Sequence, residues 1–519
     1  MKLRVKLFLL AITLIYFIWS FILLKKDEIP PLHDACVCYG ISIHFFHNLF
    51  HDFKIIFSNI NFYPPLYMIL PLPFYKIFGT NPDIFALLNI IYFYILFFSI
   101  YKIANFINTN GIIAVCILLT FPVIIGYFRI THLCIAVTAV LYLWLYTLLK
   151  TDYFTHKKYV CISAVVFSIG MLEGFHFFIY AFPLFFAYVI FSLWDKKEVS
   201  KIMLKKNLLI YLLIVFVTAG LWYIPALYIG NFKDIFKIQM QPQSKFFGYV
   251  PFWGRIKDKL FFINRLVLFP NFLIFFISFF LRKIKRDDIL TLLFFVFFVP
   301  FFTIAYFFTT SNARYILPIL PIMSILEARV VKYLSSLKKK IYLLLFLLGY
   351  ITCIVISYRH QIKRPCDSYD LLVMRNDLGI LYPYRSDPKV KKLIPVLKKL
   401  SPNKIIILTS DDLNPAPFSV DLLRNEFFKS NINGEYISSM SLSIKGYSLE
   451  ALASIVENCD YFLFVKNGRK LITVRPEYNP KINAMLKNLF FQIPKKLIGK
   501  FKDPQGFYID EFYLYERKK

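Results

Sequence analysis

The sequence predicts an α-helical polytopic membrane protein with a small soluble α/β domain at its C-terminal end. Of its 519 residues, 58% are hydrophobic, whereas soluble domains usually carry about 45–50% apolar residues. The apolar residues gather in blocks of about 17 to 22 with few charges, and each block could cross roughly 30 Å of hydrocarbon as a helix. After residue 358 these blocks stop, and short apolar runs separated by turns replace them.

The apolar blocks predict about eleven membrane-spanning helices within residues 1–358. The first, near residues 5–24, begins like a signal peptide. Its apolar run is too long for a usual signal peptide and no small-residue cleavage site follows, so we expect it to be retained. The other predicted spans lie near residues 84–103, 111–128, 132–149, 159–173, 175–194, 207–229, 260–281, 289–308, 313–331 and 341–358.

The distribution of Lys and Arg predicts the orientation of the chain. Loops such as "DKKEVSKIMLKK" and "LRKIKRDD" are basic, and the connections on the opposite side are not. Cytoplasmic loops carry the excess of basic residues, which predicts a cytoplasmic N-terminus. The first outer loop, residues 25–83, and the C-terminal part, residues 359–519, then lie outside the cytoplasm. This orientation also explains the +30 net charge, so we expect no nucleic-acid partner.

Residues 359–519 are predicted to form the soluble α/β domain. The segments "NKIIILTS" and "DYFLFVKNG" are typical of buried strands, and "GFYIDEFYLYER" alternates as a final strand. The segment "SLEALASIVENC" has helical spacing. Neither a Gly-rich phosphate loop nor a nucleophile elbow occurs in this sequence, so we expect a lid or packing domain.

Polar residues that could carry chemistry occur where the predicted spans reach the outer face. In chain order they are Asp34, Arg129, His132, Glu173, His176 and Arg314. Because these positions share one membrane face, we expect them to converge on a cavity at the outer interface. Such a cavity suits a lipid phosphate, whose tail stays in the bilayer while its head group meets Arg side chains. A carboxylate beside it could act as a general base on an acceptor hydroxyl.

Three motifs follow one another in a defined order along the membrane part. Asp34 begins the first outer loop, "YPPLYMILPLPFYKIFGTNPDIFALLNIIY" follows at residues 63–92, and "TTSNARYILPILPIMSIL" begins at residue 309. This arrangement resembles the GT-C glycosyltransferases, in particular the branch of protein O-mannosyltransferases and aminoarabinose transferases of lipid A. In that family an Asp opens the first outer loop, a Pro-Pro segment and a Phe-Gly turn follow, and an Arg-Tyr segment starts a late span.

The resemblance implies an activity, partners and a location. A sugar would be transferred from a polyprenyl-phosphate-linked donor to a lipid, glycan or protein of the cell envelope, with inversion at the anomeric carbon. The location implied is the outer face of the bacterial cytoplasmic (inner) membrane. Asp34 is the implied catalytic base, and Arg129 and Arg314 are the candidate phosphate ligands. The other candidate substrate-binding residues are His33, Tyr63, His132, Glu173 and Tyr315.

Structural roles remain open for several of these residues. Asp34 could cap a juxtamembrane helix. Arg129 and Arg314 could anchor the chain at the membrane interface, and Tyr63 and Tyr67 could be interfacial aromatics. The prolines of residues 64–73 prevent a continuous helix, so we expect this segment to run along the interface before the second span.

The chain departs from the family pattern at four positions. Ala35 follows Asp34 where Glu is frequent, and Tyr63 precedes Pro-Pro where some members have Lys. His132 stands in place of a carboxylate, and Glu173 stands where Lys is common. These departures favour one alternative to an enzyme, an inactive envelope assembly protein of the same fold. A flippase or transporter of lipid-linked sugars is the other alternative.

Three histidines in the first outer loop share one helical face. His44, His47 and His51 are spaced i, i+3, i+7. The opposite face is apolar, at Ile41, Phe45, Phe46, Leu49, Phe50 and Phe53. This pattern predicts an amphipathic helix in the membrane interface with its histidines toward water. Because Asp34, Cys36 and Cys38 are near in sequence, the histidines are also weak candidates for a metal site. A divalent ion is therefore the one cofactor that the sequence suggests.

Overall fold

The computed structural model is mostly helical, with one small sheet in the C-terminal part. In the membrane part it describes residues 3–26, 34–57, 64–80, 82–127, 132–194, 198–229, 252–267, 271–275, 278, 288–307 and 313–336. In the C-terminal part it describes residues 395–397, 399–400, 404–409, 435–438, 454, 457–466, 488, 490–492, 494–502 and 511–517.

The described membrane part is built of helices. In chain order they are α1 (Leu3–Lys26), α2 (Asp34–Asn48), α3 (Leu66–Ile69), α4 (Leu72–Phe78), α5 (Pro82–Leu87), α6 (Asn89–Phe106), α7 (Gly111–Leu118), α8 (Pro122–Tyr127), α9 (Cys134–Leu149), α10 (Lys157–Glu173), α11 (His176–Trp194), α12 (Glu198–Ile229), α13 (Phe252–Val267), α14 (Asp288–Phe307), α15 (Ala313–Ile316) and α16 (Pro321–Ser336). Short 3-10 turns at Phe53–Ile56 and Leu317–Ile319 complete the set.

Three helical stretches of the described residues are long and apolar enough to cross a membrane. They are Asp83–Phe106, His176–Leu193 and Ile202–Tyr228. Shorter apolar helices include Cys134–Leu149 and Val296–Tyr306. The apolar blocks therefore do form helices, but the predicted count of about eleven spans is not confirmed. The last predicted span, 341–358, lies outside the described residues.

Two of the predicted spans are interrupted, and one has different bounds. The span predicted at 111–128 divides into α7 and α8, and that at 313–331 divides into α15, a 3-10 turn and α16. A proline begins α8 and another begins α16, as expected because proline has no N–H to continue a helix. Within the span predicted at 260–281, the structure describes the second half of α13, which runs from Phe252 to Val267, and further helical residues at 271–275 and 278.

Helix α9 lies at the centre of the bundle and packs against α6 and α10. Nearly every residue of α9 is buried. The indole N–H of Trp144 donates to the Tyr211 hydroxyl at 2.8 Å, which links α9 to α12. Buried aromatic N–H and O–H groups usually need such partners. The core therefore extends from α6 through α9 and α10 to α12.

Gly170 lets α10 approach the start of α11, and its replacement tests this contact. A Cβ at Gly170 would overlap the ring of Phe177. Gly170→Ala is therefore expected to lower the free energy of unfolding by about 1–3 kcal/mol, as for other overpacked cores. Thermal unfolding of the purified protein in detergent measures this effect. Gly40→Ala is the control, since nothing lies within 4 Å of that position. Equal melting temperatures for both variants would contradict the close packing.

The segment between α1 and α6, predicted to be the first outer loop, folds onto itself. Helix α2 packs against α3 and α4, and the Ser42 hydroxyl donates to the Met68 carbonyl at 2.7 Å. Pro71 separates α3 from α4, which confirms that the proline-rich segment is not a continuous helix. Gly79 ends α4 with φ of 81°, a left-handed conformation that favours glycine.

Helix α2 is amphipathic, but it is shorter than the histidine spacing suggests. Ile41 and Phe45 are buried, and His47 is exposed. The helix ends at Asn48, and the backbone N–H of His51 donates to the Asn48 carbonyl in the turn that follows. The prediction that all three histidines share one helical face is therefore wrong for His51.

Glu327 lies well inside α16 and is only 1% exposed. Because Glu327 is only four residues from the end of the span predicted at 313–331, the sequence predicts that its carboxylate reaches the membrane surface or forms an ion pair. Neither of its carboxyl oxygens has a hydrogen-bond partner among the described residues. Its burial within the bundle corrects the sequence-based expectation.

The C-terminal part contains a five-stranded mixed sheet. Its strands are β1 (Lys404–Thr409), β2 (Glu435–Ser438), β3 (Tyr461–Lys466), β4 (Lys495–Lys502) and β5 (Glu511–Arg517), in the spatial order β2-β1-β3-β5-β4. Strand β1 pairs in parallel with β2 and β3, while β5 is antiparallel to β3 and β4. Strands β1, β3 and β5 confirm the predicted ones.

Two strands of the sheet were not predicted. Strand β4 contains four lysines in "KKLIGKFK", so its sequence lacks apolar alternation. It lies at one edge of the sheet, where lysines oppose pairing with another chain. Strand β2 has only four residues, too few for a clear periodicity. Of the predicted helix at 448–459, the structure describes only Ser454 and Glu457 as helical.

Candidate functional site at one end of the helix bundle

Four elements meet at one end of the bundle: the end of α10, the start of α11, the residues before α9, and α15. The rings of His176 and Tyr315 lie 6.1 Å apart. The Tyr180 hydroxyl donates to the Tyr315 carbonyl at 2.8 Å. His132 lies close enough to His176 for the two rings to interact electrostatically. These contacts bring the predicted residues His132 and Tyr315 into one cluster.

Glu173 ends α10 and is only 3% exposed. The Tyr92 hydroxyl donates to its Oε1 at 2.8 Å. Among the described residues, the other carboxyl oxygen, Oε2, has no hydrogen-bond partner. Burying a carboxyl oxygen without a donor costs free energy. Glu173 therefore offers an acceptor that a bound ligand could satisfy.

A chain of buried polar groups lies beside Glu173. The Tyr67 hydroxyl donates to Asn89 Oδ1 at 3.1 Å, and Asn89 Nδ2 donates to the Tyr127 carbonyl at 3.5 Å. Tyr67 also lies close enough to Glu173 for an electrostatic interaction. The first outer loop, α6 and the end of α8 are thereby joined next to the carboxyl group.

His132 is buried immediately before α9. Its Nδ1 accepts from the backbone N–H of Cys134 at 3.1 Å, and its ring meets that of Tyr127 edge to face at 5.9 Å. Because Nδ1 accepts a hydrogen bond, the neutral ring carries its proton on Nε2. His132 therefore fixes the start of α9 and has a defined tautomer within the cluster.

The backbone of Asp34 lies one helical turn from this cluster. Asp34 begins α2, and Cys38 follows four residues later on the same face of the helix. Cys38 is fully buried and lies against the backbone of Leu133. The start of α2 is thus next to the segment that carries His132.

The remaining candidates are located only in part. His33, Tyr63 and Arg129 lie outside the described residues. Arg314 lies within α15 by its backbone, directly before the buried Tyr315. Of the predicted site residues, the structure therefore gathers His132, Glu173 and Tyr315, with the start of α2 beside them.

Sequence reasoning missed several members of the cluster, namely Asn89, Tyr92 and Tyr180. A polar residue inside an apolar block is costly and often functional, and this signal could have identified Asn89. The sequence suggests an interfacial anchoring role for Tyr67. It is fully buried and donates to Asn89, so the anchoring role is wrong for Tyr67.

The histidines of α2 do not form a metal site with each other. Within the described residues, no three His, Cys, Asp or Glu side chains are close enough together to hold a metal ion. His44 lies 3.3 Å from the Asn48 amide through Nδ1. Partial burial, and then the neighbouring His47, lower the pKa of His44. His44, His47 and His51 therefore stay weak candidates for individual metal ligands.

No family model and no curated protein matches the sequence. Among solved structures, ArnT from Cupriavidus metallidurans bound to undecaprenyl phosphate is similar, with a TM-score of 0.62 and 12% identity over 99% of this chain and 98% of that one. The apo oligosaccharyltransferase from Archaeoglobus fulgidus gives 0.53 and 11%, over 98% of this chain and 74% of that one. The same archaeal enzyme, AglB, with an inhibitory peptide and a dolichol-phosphate gives 0.51 and 10%, over 99% and 74%.

The similarity to ArnT and to the archaeal oligosaccharyltransferase extends over nearly the whole of this chain, which includes the helical part and the C-terminal sheet. At this low identity the similarity establishes the fold. The chain therefore shares its fold with ArnT and with the archaeal oligosaccharyltransferase.

Proposed function

We propose that this protein is a membrane glycosyltransferase that moves a sugar from a polyprenyl-phosphate-linked donor to an acceptor of the cell envelope. One observation carries the proposal: the chain shares its fold, over 99% of its length, with a protein that binds undecaprenyl phosphate. A second neighbour with this fold binds a dolichol-phosphate. Lipid phosphate is thus the ligand that both neighbours share.

The proposed reaction needs a base beside the acceptor and cations beside the donor phosphate. The acceptor hydroxyl attacks the anomeric carbon and gives its proton to the carboxylate of Asp34. The bond from that carbon to the phosphate oxygen breaks with inversion, and polyprenyl phosphate leaves. Arg129 and Arg314 stabilise the negative charge of the leaving phosphate. These roles follow from the family resemblance and from the position of α2 beside the cluster.

Glu173 is proposed to bind the sugar. Its Oε1 is held by Tyr92, so the orientation of the carboxyl group is fixed before a ligand arrives. Its Oε2 has no donor among the described residues and can accept a hydrogen bond from a sugar hydroxyl. His132 and Tyr315, buried in the same cluster, complete this side of the proposed site.

The proposed site faces the outside of the bacterial cytoplasmic membrane. The basic loops support a cytoplasmic N-terminus and an extracytoplasmic sheet domain. The acceptor is then a lipid, a glycan or a protein on that side. A carboxylate base and an acceptor hydroxyl are compatible with each of these.

Transfer can be distinguished from transport in one experiment. The full-length protein is reconstituted in liposomes with a polyprenyl-phosphate-linked sugar that carries a radiolabel, together with an envelope extract as acceptor. We expect the label to move to the acceptor and free polyprenyl phosphate to appear. Liposomes without the protein are the control.

Two results would contradict the proposed function. A flippase would move the labelled lipid between leaflets and leave its sugar–phosphate bond intact. An inactive assembly protein would neither move nor cleave any of several donors tried. The two alternatives are therefore separated from the enzyme, and from each other, by the fate of the label.

A further inference from the structure

Helix α16 carries a buried carboxyl group that the proposed reaction does not use. Glu327 lies inside this helix and is only 1% exposed. Neither of its oxygens has a hydrogen-bond partner among the described residues, and no Lys or Arg of those residues forms an ion pair with it. An ionisable group inside a membrane bundle is costly and usually functional, so the burial of Glu327 needs an explanation.

Glu327 lies toward the opposite end of the bundle from the cluster around Glu173. At the start of α6, the Tyr92 hydroxyl donates to Glu173. Just after the end of α6, the Asn108 carbonyl accepts from Nζ of Lys332, which is five residues beyond Glu327 on α16. Because a helix rises by 1.5 Å per residue, these two contacts lie about 24 Å apart. Glu327 is therefore remote from the proposed sugar site.

The helices packed against α16 contribute mainly apolar residues at this end. Helix α16 contacts α7 and α6. Ser324 precedes Glu327 by three residues and shares its side of the helix, but its hydroxyl donates to the Pro321 carbonyl at 2.7 Å. The fully buried apolar residues of the two neighbouring helices are Ile100, Ile103, Ala104, Ala114, Val115 and Leu118.

The described cations near this end of the bundle are directed away from Glu327. The Lys332 ammonium reaches the turn after α6. Lys102, on α6, lies over the Phe98 ring at 5.5 Å. Arg329 is two residues from Glu327, and residues at that spacing do not face each other on a helix. Within the described part of the chain, an ionised Glu327 would therefore lack both a counter-charge and hydrogen-bond donors.

A buried carboxylate without a counter-charge costs several kcal/mol, and such a group takes up a proton instead. We propose that Glu327 is a proton-binding site inside the helix bundle, occupied at neutral pH. The ligand is the proton itself, and the occupied site is a neutral carboxylic acid. The neutral form lets α16 pack against α6 and α7, whereas ionisation would place an uncompensated charge between these helices.

Infrared spectroscopy of the full-length protein tests this proposal. The protein is held at neutral pH in a detergent without ester groups, because lipid esters absorb in the same region as a carboxylic acid. We expect the wild-type spectrum minus that of Glu327→Gln to show the C=O band of one carboxylic acid per molecule, and no carboxylate bands. Glu457 is exposed, so Glu457→Gln is the matched control, for which the difference should show carboxylate bands and no acid band.

Thermal unfolding gives a second readout for the same variants. Gln has the shape of a protonated Glu and carries no charge, so the melting temperature of Glu327→Gln should stay close to that of the wild type. Glu327→Met, of similar size and without hydrogen-bonding groups, keeps the infrared test possible if Glu327→Gln does not fold. Its difference spectrum should also show the acid band.

Two results would overturn the proposal. One is a difference spectrum at Glu327 with carboxylate bands in place of the acid band. The other is a fall of several degrees in the melting temperature of Glu327→Gln together with the loss of carboxylate bands, which would show an ion pair. Neither measurement needs a sugar donor, so the proton site and the proposed function can be judged separately.

Discussion

Asp34→Asn is expected to reduce sugar transfer by about 10²–10⁴-fold, the contribution that a positioned general base usually makes. Asn has nearly the same shape as Asp but cannot take the proton of the acceptor hydroxyl. Affinity for polyprenyl phosphate should change little, because the base acts on the acceptor. The initial rate of transfer in reconstituted liposomes measures the effect, and donor binding is measured in parallel.

A matched control for Asp34 is available in the same loop. Asp52 is exposed and accepts a hydrogen bond from the backbone N–H of Lys54 at 2.9 Å. Asp52→Asn removes one negative charge and keeps the capping oxygen, so transfer should stay at the wild-type rate. If Asp34→Asn also transfers at that rate, Asp34 is not the base. Loss of thermal stability without loss of transfer in Asp34→Ala, which has no capping oxygen, would instead assign Asp34 a capping role.

Glu173→Gln is expected to lower kcat/KM by about 10–100-fold, the effect of losing about 1.4–2.7 kcal/mol of charge-assisted hydrogen bonding. The amide can keep its carbonyl oxygen toward the Tyr92 hydroxyl, so the contact with α6 is preserved. Its NH₂ group then occupies the position of Oε2 and cannot accept from a sugar hydroxyl. The loss should appear in kcat/KM for the donor, while the melting temperature stays close to that of the wild type.

Tyr92→Phe separates the positioning of Glu173 from its direct contact with a ligand. This variant removes the donor to Oε1 and leaves that buried oxygen without its bond, at a cost of about 1–3 kcal/mol in stability. Transfer should fall because the carboxyl group is no longer oriented. Tyr94→Phe, on the same helix, is the control for removal of a hydroxyl. Full transfer by Glu173→Gln would show that Glu173 has only a structural role.

The candidate site could be predicted in part from the sequence. His132 and Glu173 follow from their positions at the ends of apolar blocks on one membrane face. Asn89 and Tyr92 lie inside a predicted span, and nothing in their spacing shows that they turn toward Glu173. Their role depends on how α6 packs against the neighbouring helices. The pattern of hydrophobic residues along the chain does not predict this packing.

Helix α13 is a second example of packing that the sequence does not predict, because it buries two cations, Arg255 and Lys259. The sequence predicts spans at 207–229 and 260–281, and the boundary at residue 260 falls inside α13. The helix instead begins at Phe252, and its amphipathic face becomes evident only with that boundary. Nothing in the sequence therefore marks Arg255 and Lys259 as buried, although both are.

The sequence by itself determined the membrane class, the family resemblance that predicts the fold, the break in the proline-rich segment and the strands β1, β3 and β5. These features depend on hydrophobic blocks, on prolines and on the order of short motifs, all of which are local along the chain. Only the tertiary structure decided that Tyr92 holds Glu173 and that α13 buries two cations beside α8 and α14. Such contacts join residues that are far apart in sequence, and they form because helix packing selects which face of each helix is buried.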